Sequence, residues 1–405
     1  MKTAFQRRID RYFGTPLCLL LSFFNYFRIK STHSFKPKKI LVILLSEMGS
    51  LILAKPMFDR LIVAHPSAEI YMLISKKNEE TVQLINVVSD ENIITIRDAT
   101  LVGFFVDSVK VLMKMRRLGI DTVLDCELFS RISSILSFLS GAKLRVGFYS
   151  YTQEGLYRGS FINRQVLYNP YMHISKQFIS LVESLEADTV PILKRQIERG
   201  PGSLLPLPVD KQEFEKWKRR FENDFPWVAG SKLILLYPSG GLLPLRAWPL
   251  DNYRSLAKYF IGNGYAVGIL GMNDDKKLAD AILSYCEHEK CIDLTGYTKT
   301  IRELLHVFHY AVLLVANDGG PGHIAALTQV PAVIIYGPET PVLYASLSEN
   351  ATAMYHAFSC SPCLTAYNQK NSPCDGNNLC LKNITVAEVL VRSQERMRKQ
   401  RTCLN

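Results

Sequence analysis

Residues 313–341, LLVANDGGPGHIAALTQVPAVIIYGPETP, concentrate the residue types that can hold an anionic sugar ligand. A buried apolar run ends at Asn317-Asp318, two glycines follow, and a helix is predicted to start near Pro321. Backbone N–H groups at a helix start, together with the positive end of its dipole, form a site for phosphate or pyrophosphate. Gly319 and Gly320 place no side chain in a ligand's path and are expected to let the chain turn tightly. Asp318, at the strand end, can accept hydrogen bonds from sugar hydroxyls, and His323 is expected in the first helical turn at the same mouth. A second loop of this kind carries Pro238-Ser239-Gly240-Gly241 and Arg246-Ala247-Trp248-Pro249. Its guanidinium can bridge two phosphate oxygens. The plainer alternatives are an ordinary turn at 318–320, and a solvated Arg246 beside residues that merely seat a helix.

These loops need strands to carry them, and the hydrophobic pattern supplies two series. Apolar runs at 39–45, 68–74, 92–96, 121–126 and 143–148 alternate with helical stretches at 51–64, 104–118 and 130–140. A second series runs through 232–238, 265–271, 291–296, 311–318 and 331–337, with helices at 250–263, 274–288, 300–310 and 320–329. Continuous apolar strands separated by helices indicate parallel sheets covered on both faces. The expected fold is α/β: two Rossmann-like, doubly wound domains facing a cleft, with ligands beyond the carboxyl ends of the strands. The boundaries are predicted at 38–185 and 231–358, with 186–230 as a polar linker and 383–405 as a helix and basic tail. No G-x-G-x-x-G follows the first strand, no Walker A sequence occurs, and no G-x-S-x-G is present. Dinucleotide-dependent redox chemistry and a hydrolase elbow are therefore not indicated.

Cys360, Cys363, Cys374 and Cys380 form C-x2-C-x10-C-x5-C in the polar stretch 359–382. Four thiolates in a loop without an apolar core of its own suit a structural, tetrahedral zinc. Disulfides, ordinary thiols and an iron–sulfur cluster are the alternatives. The other cysteines, 18, 126, 286, 291 and 403, show no motif.

The formal charge of +11 is not spread over the 405 residues. Residues 1–39 hold nine Lys/Arg, among them Lys2, Arg7, Arg8, Arg11, Arg28 and Lys30, against Asp10 alone. Residues 390–405 hold five against Glu395, so the body between is close to neutral. With 48% hydrophobic and 21% charged residues, disorder is excluded as the dominant state. The run PLCLLLSFFNYF, 16–27, falls short of the roughly 20 residues a spanning helix needs. No A-x-A-like cleavage site follows it. Thr15-Pro16 reads as a helix start, so two short helices are expected to meet near Gly14. Arginines flanking Phe5, Tyr12, Phe13, Leu17, Leu20, Leu21, Phe24 and Phe27 suit an amphipathic segment, 1–37, lying on an anionic membrane surface. The alternative is a helix packed on the protein itself or on a second subunit. Nucleic acid is not an expected partner, since the body lacks a basic, aromatic-interleaved face.

Taken together, Arg246-x-Trp248-Pro249, Asn317-Asp318-Gly319-Gly320-Pro321-x-His323 and Gly337-Pro338 resemble the motifs of glycosyltransferase family 9, the ADP-heptose:lipopolysaccharide heptosyltransferases. The resemblance covers about residues 38–390. It implies a GT-B fold and inverting transfer of a heptose or related sugar from a nucleotide diphosphate, ADP by family habit, to a lipid-linked glycan, with no cofactor required for catalysis. It places Asp318 on the donor sugar, Gly319, Gly320 and His323 around the diphosphate with Ser239 and Gly240 nearby, and Arg246 on the departing nucleotide. It also implies a cytoplasmic enzyme at the inner face of the membrane. Arg246 and Gly319 are mild variants of the family's usual Lys and Ser. One departure is larger: the family reads Gly-Asp after its first strand, with the aspartate as base, whereas this chain has Gly49-Ser50. Glu47, three residues earlier, is the candidate base. Without a carboxylate there, the chain would be a catalytically silent nucleotide-sugar-binding protein.

Overall fold

In a computed structural model, residues 7–27, 36–45, 47–98, 100–149, 156–197 and 204–404 are described, side chains through 400. Lys2, Phe5, Arg28, Lys30, the Cys403 side chain and part of the expected linker lie outside the described residues. The chain divides into two compact units, one of residues 1–200 with 366–369, the other of 201–365 with 370–405.

The first unit is led by helix α1 (Thr15–Tyr26). It continues through β1 (Lys39–Ile43), α2 (Met48–Ala64), β2 (Glu69–Ser75), α3 (Glu79–Ile85), β3 (Ile93–Ile96), α4 (Leu101–Leu118), β4 (Thr122–Asp125), α5 (Arg131–Leu139), β5 (Leu144–Tyr149), β6 (Arg164–Leu167) and α6 (Ile174–Glu183). The sheet is parallel in the order β3-β2-β1-β4-β5-β6. Strand order therefore reverses between β1 and β4, which pair from Ile40↔Thr122 to Ile43↔Asp125. β4 is buried throughout and β1 from Ile40 onward, as expected of a sheet covered on both faces. At the reversal Asp125 and Arg158 form a fully buried ion pair, with Ser133 Oγ donating to Asp125 at 3.0 Å. Burial pushes the Asp125 carboxyl up to about 6 although Arg158 opposes it.

The two short N-terminal helices expected to meet at Gly14 are instead one continuous run. A π-helical turn, Asp10–Gly14, leads directly into α1, and Thr15 is helical rather than capping. Pro16 has no N–H to give the helical ladder, and one wider turn absorbs that interruption. Gly14 crosses α5 so closely that a Cβ there would lie 2.8 Å from Arg131 Cβ. Asp10 accepts from the backbone N–H groups of Arg131 (2.8 Å) and Ile132 (2.9 Å) and pairs with the Arg131 guanidinium at 3.3 Å. It thus serves the start of α5 while tying the N-terminal run to it.

The second unit comprises α7 (Lys211–Asp224), β7 (Leu233–Tyr237), α8 (Leu250–Gly262), β8 (Ala266–Gly271), α9 (Lys276–Cys286), β9 (Cys291–Thr295), α10 (Ile301–Tyr310), β10 (Ala311–Asn317), α11 (Gly320–Ile324), β11 (Ala332–Ile335), α12 (Pro341–Tyr344), β12 (Ala351–Met354), α13 (Leu379–Lys382) and α14 (Val386–Leu404). Its parallel order is β12-β11-β10-β7-β8-β9, so the reversal falls between β7 and β10. Part of the stretch read as linker is helical: α7 is capped by Asp210, which accepts from Gln212 and Glu213 N–H. Trp217 and Phe221 on α7 bury against His306 and Tyr310 of α10. The polar composition that suggested a linker is the solvent side of an amphipathic helix.

Candidate functional site

In each unit the loops carrying candidate residues leave the two strands where the order reverses. That position is where ligands bind in open α/β sheets. In the second unit Ser239, Gly240 and Arg246 follow β7, while Asp318, Gly319, Gly320 and His323 follow β10. Asn317 joins the two loops. Its Nδ2 donates to the carbonyls of Pro238 (2.9 Å) and Ser239 (3.1 Å), and its Oδ1 accepts from Trp248 N and Tyr253 Oη, both at 3.0 Å. Every polar group of this buried side chain is used, so Asn317 sets the distance between the loops. Trp248 seats the same loop from the other side, donating Nε1–H to Ile384 O at 2.9 Å.

Arg246 is not a solvated surface charge; it is 4% exposed. Its guanidinium faces two carboxyls, Asp318 with Nε to Oδ2 at 3.6 Å and Glu339 in closer contact. Lys370 completes the group, 3.2 Å from Glu339 Oε1. Burial holds the Asp318 carboxyl well above the ordinary carboxylate range; Arg246 pulls it down, while the charge and hydrogen bond of Glu339 push it further up. Glu339 and Lys370 were not singled out from the sequence. The signal for Glu339 was its place two residues beyond Gly337, just past the strand next to β10. Lys370 sits in the four-cysteine stretch and had no sequence signal.

The glycines divide into two kinds. A Cβ on Gly240 would fall 2.7 Å from Leu243 O and 2.9 Å from Pro244 Cα, so the turn itself demands glycine. Gly319 is extended, with φ 166°, and nothing lies within 4 Å of a Cβ on Gly320. The tight turn expected of Gly319-Gly320 does not need them; open space beside the backbone is what they provide. The helix after them is also short, five residues followed by a 3-10 turn. The dipole invoked from sequence is correspondingly small, and the local N–H groups carry the anion-binding capacity. His323 is buried in that helix.

In the first unit Glu47 is the residue before α2, in extended conformation, and Ser50 N–H donates to its carbonyl at 2.9 Å. Gly49 is buried and Ser50 half-buried in the first turn of α2. Glu127, after β4, also reaches this loop: its Oε1 accepts from Leu45 N–H at 2.6 Å. It is a second carboxylate at the reversal of the first sheet, and only the strand pairing shows its proximity to the loop of Glu47.

The four cysteines do not form a cage. Cys360 and Cys374 are exposed, Cys363 half-buried and Cys380 buried. Burial first, then the neighbouring thiols, raise the Cys380 pKa. Ser372 Oγ donates to Cys363 Sγ at 3.1 Å. Among the described residues no group of three or more His, Cys, Asp or Glu is gathered closely enough to hold a metal. The stretch also has support that its composition did not suggest. Cys363 and Leu364 N–H both donate to Pro338 O at 2.9 Å, Asn378 Nδ2 donates to Leu245 O at 2.8 Å, and Leu364 and Ala366 are buried.

The sequence model described as "Glycosyltransferase family 9 (heptosyltransferase)" matches residues 110–372. Lipooligosaccharide heptosyltransferase 2 of Haemophilus influenzae is 29% identical over 170 residues, 41% of this chain and 46% of that protein. The chain thus spans about half the length of the curated relatives it first matches. Lipopolysaccharide heptosyltransferase 3 of Escherichia coli matches over a longer stretch, 23% identical over 310 residues, 75% of this chain and 83% of that protein. Among solved structures, "E. coli ADP-heptose lps heptosyltransferase II" superposes with a TM-score of 0.69 at 20% identity, covering 90% of this chain and 99% of that one. That likeness bears on the fold, which is the two-domain α/β fold expected from the sequence.

Proposed function

The chain belongs to glycosyltransferase family 9, and on that premise we propose that it transfers a heptose or related sugar from an ADP-linked donor to a lipid-linked glycan of the lipopolysaccharide core, inverting the anomeric centre. The observation that carries this is Arg246 against Asp318 at the strand reversal of the second sheet, beside the open backbone of Gly319 and Gly320. Asp318 orients the donor sugar. The backbone N–H groups around Gly240 and Gly319 to His323 receive the diphosphate, and Arg246 stabilises the charge that develops on the departing nucleotide. Glu47 takes the acceptor proton as base. The E. coli neighbour is an ADP-heptose heptosyltransferase, which favours adenine as the base.

A melting-temperature screen of the whole chain against ADP-, UDP- and GDP-sugars tests the donor. Selective stabilisation by the ADP-sugar is expected, and selective stabilisation by another nucleotide overturns the assignment. Turnover that survives Glu47→Gln removes Glu47 as base. Binding of the donor without transfer to any acceptor would favour the silent reading that Ser50 raises.

No helix among the described residues is long and apolar enough to cross a membrane. Membrane contact belongs to α1 in this proposal, on the inner leaflet where a lipid-linked acceptor is met. Structural zinc in the four-cysteine stretch rests on the cysteine spacing alone, and no step of the transfer is routed through it. Metal analysis of the purified chain, with Cys374→Ser as control, tests it; absence of stoichiometric zinc refutes it.

A further inference from the structure

The exposed apolar surface of the first unit is not confined to α1. On α4, Val102, Phe105, Val106, Val109 and Met113 are all exposed, Val102 at 76% and Phe105 at 69%. They recur at spacings of three and four, so they form one stripe along the helix. This stripe is not the side that binds the sheet; Val111 and Met115 do that, buried with Ile94, Ile96 and Leu136. Lys110, Lys114 and Arg117, all exposed, follow a parallel row at the same spacing. The one acid of the helix, Asp107, is taken by Arg97 at 2.8 Å. A recess of about 250 Å³ opens at this row, lined by Lys76, Arg97 and Lys110 with Asp107.

Helices α4 and α1 share a neighbour, α5. Both pack against α5: Leu136 and Ile132 of α5 meet α4, while Ile135 and Phe138 meet Cys18 and Leu21 of α1. Arg116 Nε further donates to Leu139 O at 3.0 Å, closing the far end of α4 onto α5. With the narrow side of α1 docked, the N-terminal run leaves Phe13, Leu20, Phe24 and Phe27 more than half exposed. The N-terminal end of α4 follows β3, so it lies at the carboxyl ends of the strands, where the unit's ligand is expected.

We propose that α4 is a second membrane-contact element, whose apolar stripe enters the headgroup region of an anionic bilayer while Lys110, Lys114 and Arg117 meet lipid phosphates. The bilayer is favoured as occupant because a long apolar stripe bordered by an unpaired-sign basic row matches the order of acyl chains and anionic headgroups. Two helices held on one rigid support, α5, orient the unit on the surface, so the carboxyl ends of its strands meet an acceptor whose lipid stays in the bilayer. The proposal extends the reading of α1 as a membrane contact and is separable from it by experiment.

Flotation of the full chain with vesicles of phosphatidylethanolamine and phosphatidylglycerol, against phosphatidylcholine alone, compares three variants with the wild type. One carries Val102→Ser, Phe105→Ser, Val109→Ser and Met113→Ser; the second, Lys110→Glu, Lys114→Glu and Arg117→Glu; the third, Leu20→Ser, Phe24→Ser and Phe27→Ser. The first two are expected to bind the anionic vesicles about tenfold more weakly or worse, the first because its apolar side chains no longer enter the bilayer and the second because each basic residue near the surface contributes about 1 kcal/mol. Wild-type flotation by both α4 variants, with loss in the α1 variant, overturns the α4 proposal and leaves α1 standing. Loss in the α4 variants with wild-type flotation of the α1 variant supports α4 and removes α1. Sedimentation equilibrium covers the remaining occupant: self-association that Val102→Ser with Phe105→Ser abolishes, with flotation unchanged, shows a second copy on this face and overturns the proposal. In a separate measurement, Val102→Trp should gain fluorescence quenching by brominated lipid beyond that of the native tryptophans. No added quenching refutes insertion.

Discussion

Arg246→Met removes the positive charge from the buried group behind Asp318 while keeping a side chain of similar length. In the native chain the guanidinium faces Asp318 at 3.6 Å and contacts Glu339, and Lys370 holds the far side of Glu339 at 3.2 Å. Removing one partner of a buried ion pair costs about 3–5 kcal/mol. Two features soften the loss here: the carboxyls of Asp318 and Glu339 are hydrogen-bonded to each other, so one can take up a proton, and Lys370 remains. We expect about 2–4 kcal/mol near neutral pH, which lowers the melting temperature of a domain of this size by roughly 5–15 °C. The pH dependence is the sharper test. Because the Asp318 carboxyl is raised by burial, the folded chain keeps a proton that the unfolded chain releases above about pH 4. Its contribution to stability therefore falls as pH rises from that point until the folded pKa is passed. Without Arg246 the larger of the two opposing charges is lost, Lys370 being the other, and the window extends upward, so the deficit of the variant should widen with pH. Glu339→Gln removes a charge that raises Asp318, and its melting temperature should vary less with pH than that of the wild type. Thermal melts between about pH 5 and 9 read all three. A deficit for Arg246→Met that is independent of pH, or below about 1 °C, would refute the coupling.

Gly240→Ala should destabilise by about 1–3 kcal/mol in urea denaturation because its Cβ meets the Leu243 carbonyl and Pro244, whereas Gly320→Ala should melt like the wild type. If Gly320→Ala still weakens ADP-sugar binding in calorimetry, the cause is the ligand's approach and not the fold. Asn317→Ala abandons four hydrogen bonds between buried groups and should cost about 2–4 kcal/mol, read by chemical denaturation with Tyr253→Phe as the single-bond comparison. Asp10→Ala strips Arg131 of its carboxylate and should release the N-terminal run, so trypsin should cut within 7–27 much faster while the second unit stays resistant.

Period and apolar continuity made the strands of both sheets legible, because a parallel strand buried on both faces has a composition few other elements share. The short edge strands β6 and β12 were missed: RQVL and ATAM mix polar and apolar residues, as edges covered on fewer sides can. The place of Arg246 and Asp318 was legible too, since strand order puts the loops after the first and fourth strands of such a series side by side. What those residues touch was not. Glu339, against Arg246, comes from 93 residues further along the chain, and Lys370, against Glu339, from 31 beyond that; no local spacing records either contact. The same limit applies to the N-terminal run. Its amphipathic pattern was plain, but Asp10, the one acid in a basic segment, gave no sign of being the residue that fixes it to α5.

The pairing of Arg246 also bears on how a diphosphate would bind. A guanidinium already facing two carboxyls offers little net positive charge, and bringing a diphosphate to it while both are ionised would set anion against anion. A proton held on the raised Asp318 removes one of those negative charges, and Lys370 offsets the other. The group as a whole can then accept an anion, whereas Arg246 alone is committed to its neighbours. On this reasoning Asp318 and Arg246, in the roles proposed for them, act as one electrostatic unit, and Glu339 is a positioning residue that sets its balance. Donor affinity should accordingly weaken as pH rises through the Asp318 titration, with Glu339→Gln shifting that fall along the pH axis, a dependence that a solvated arginine would not produce.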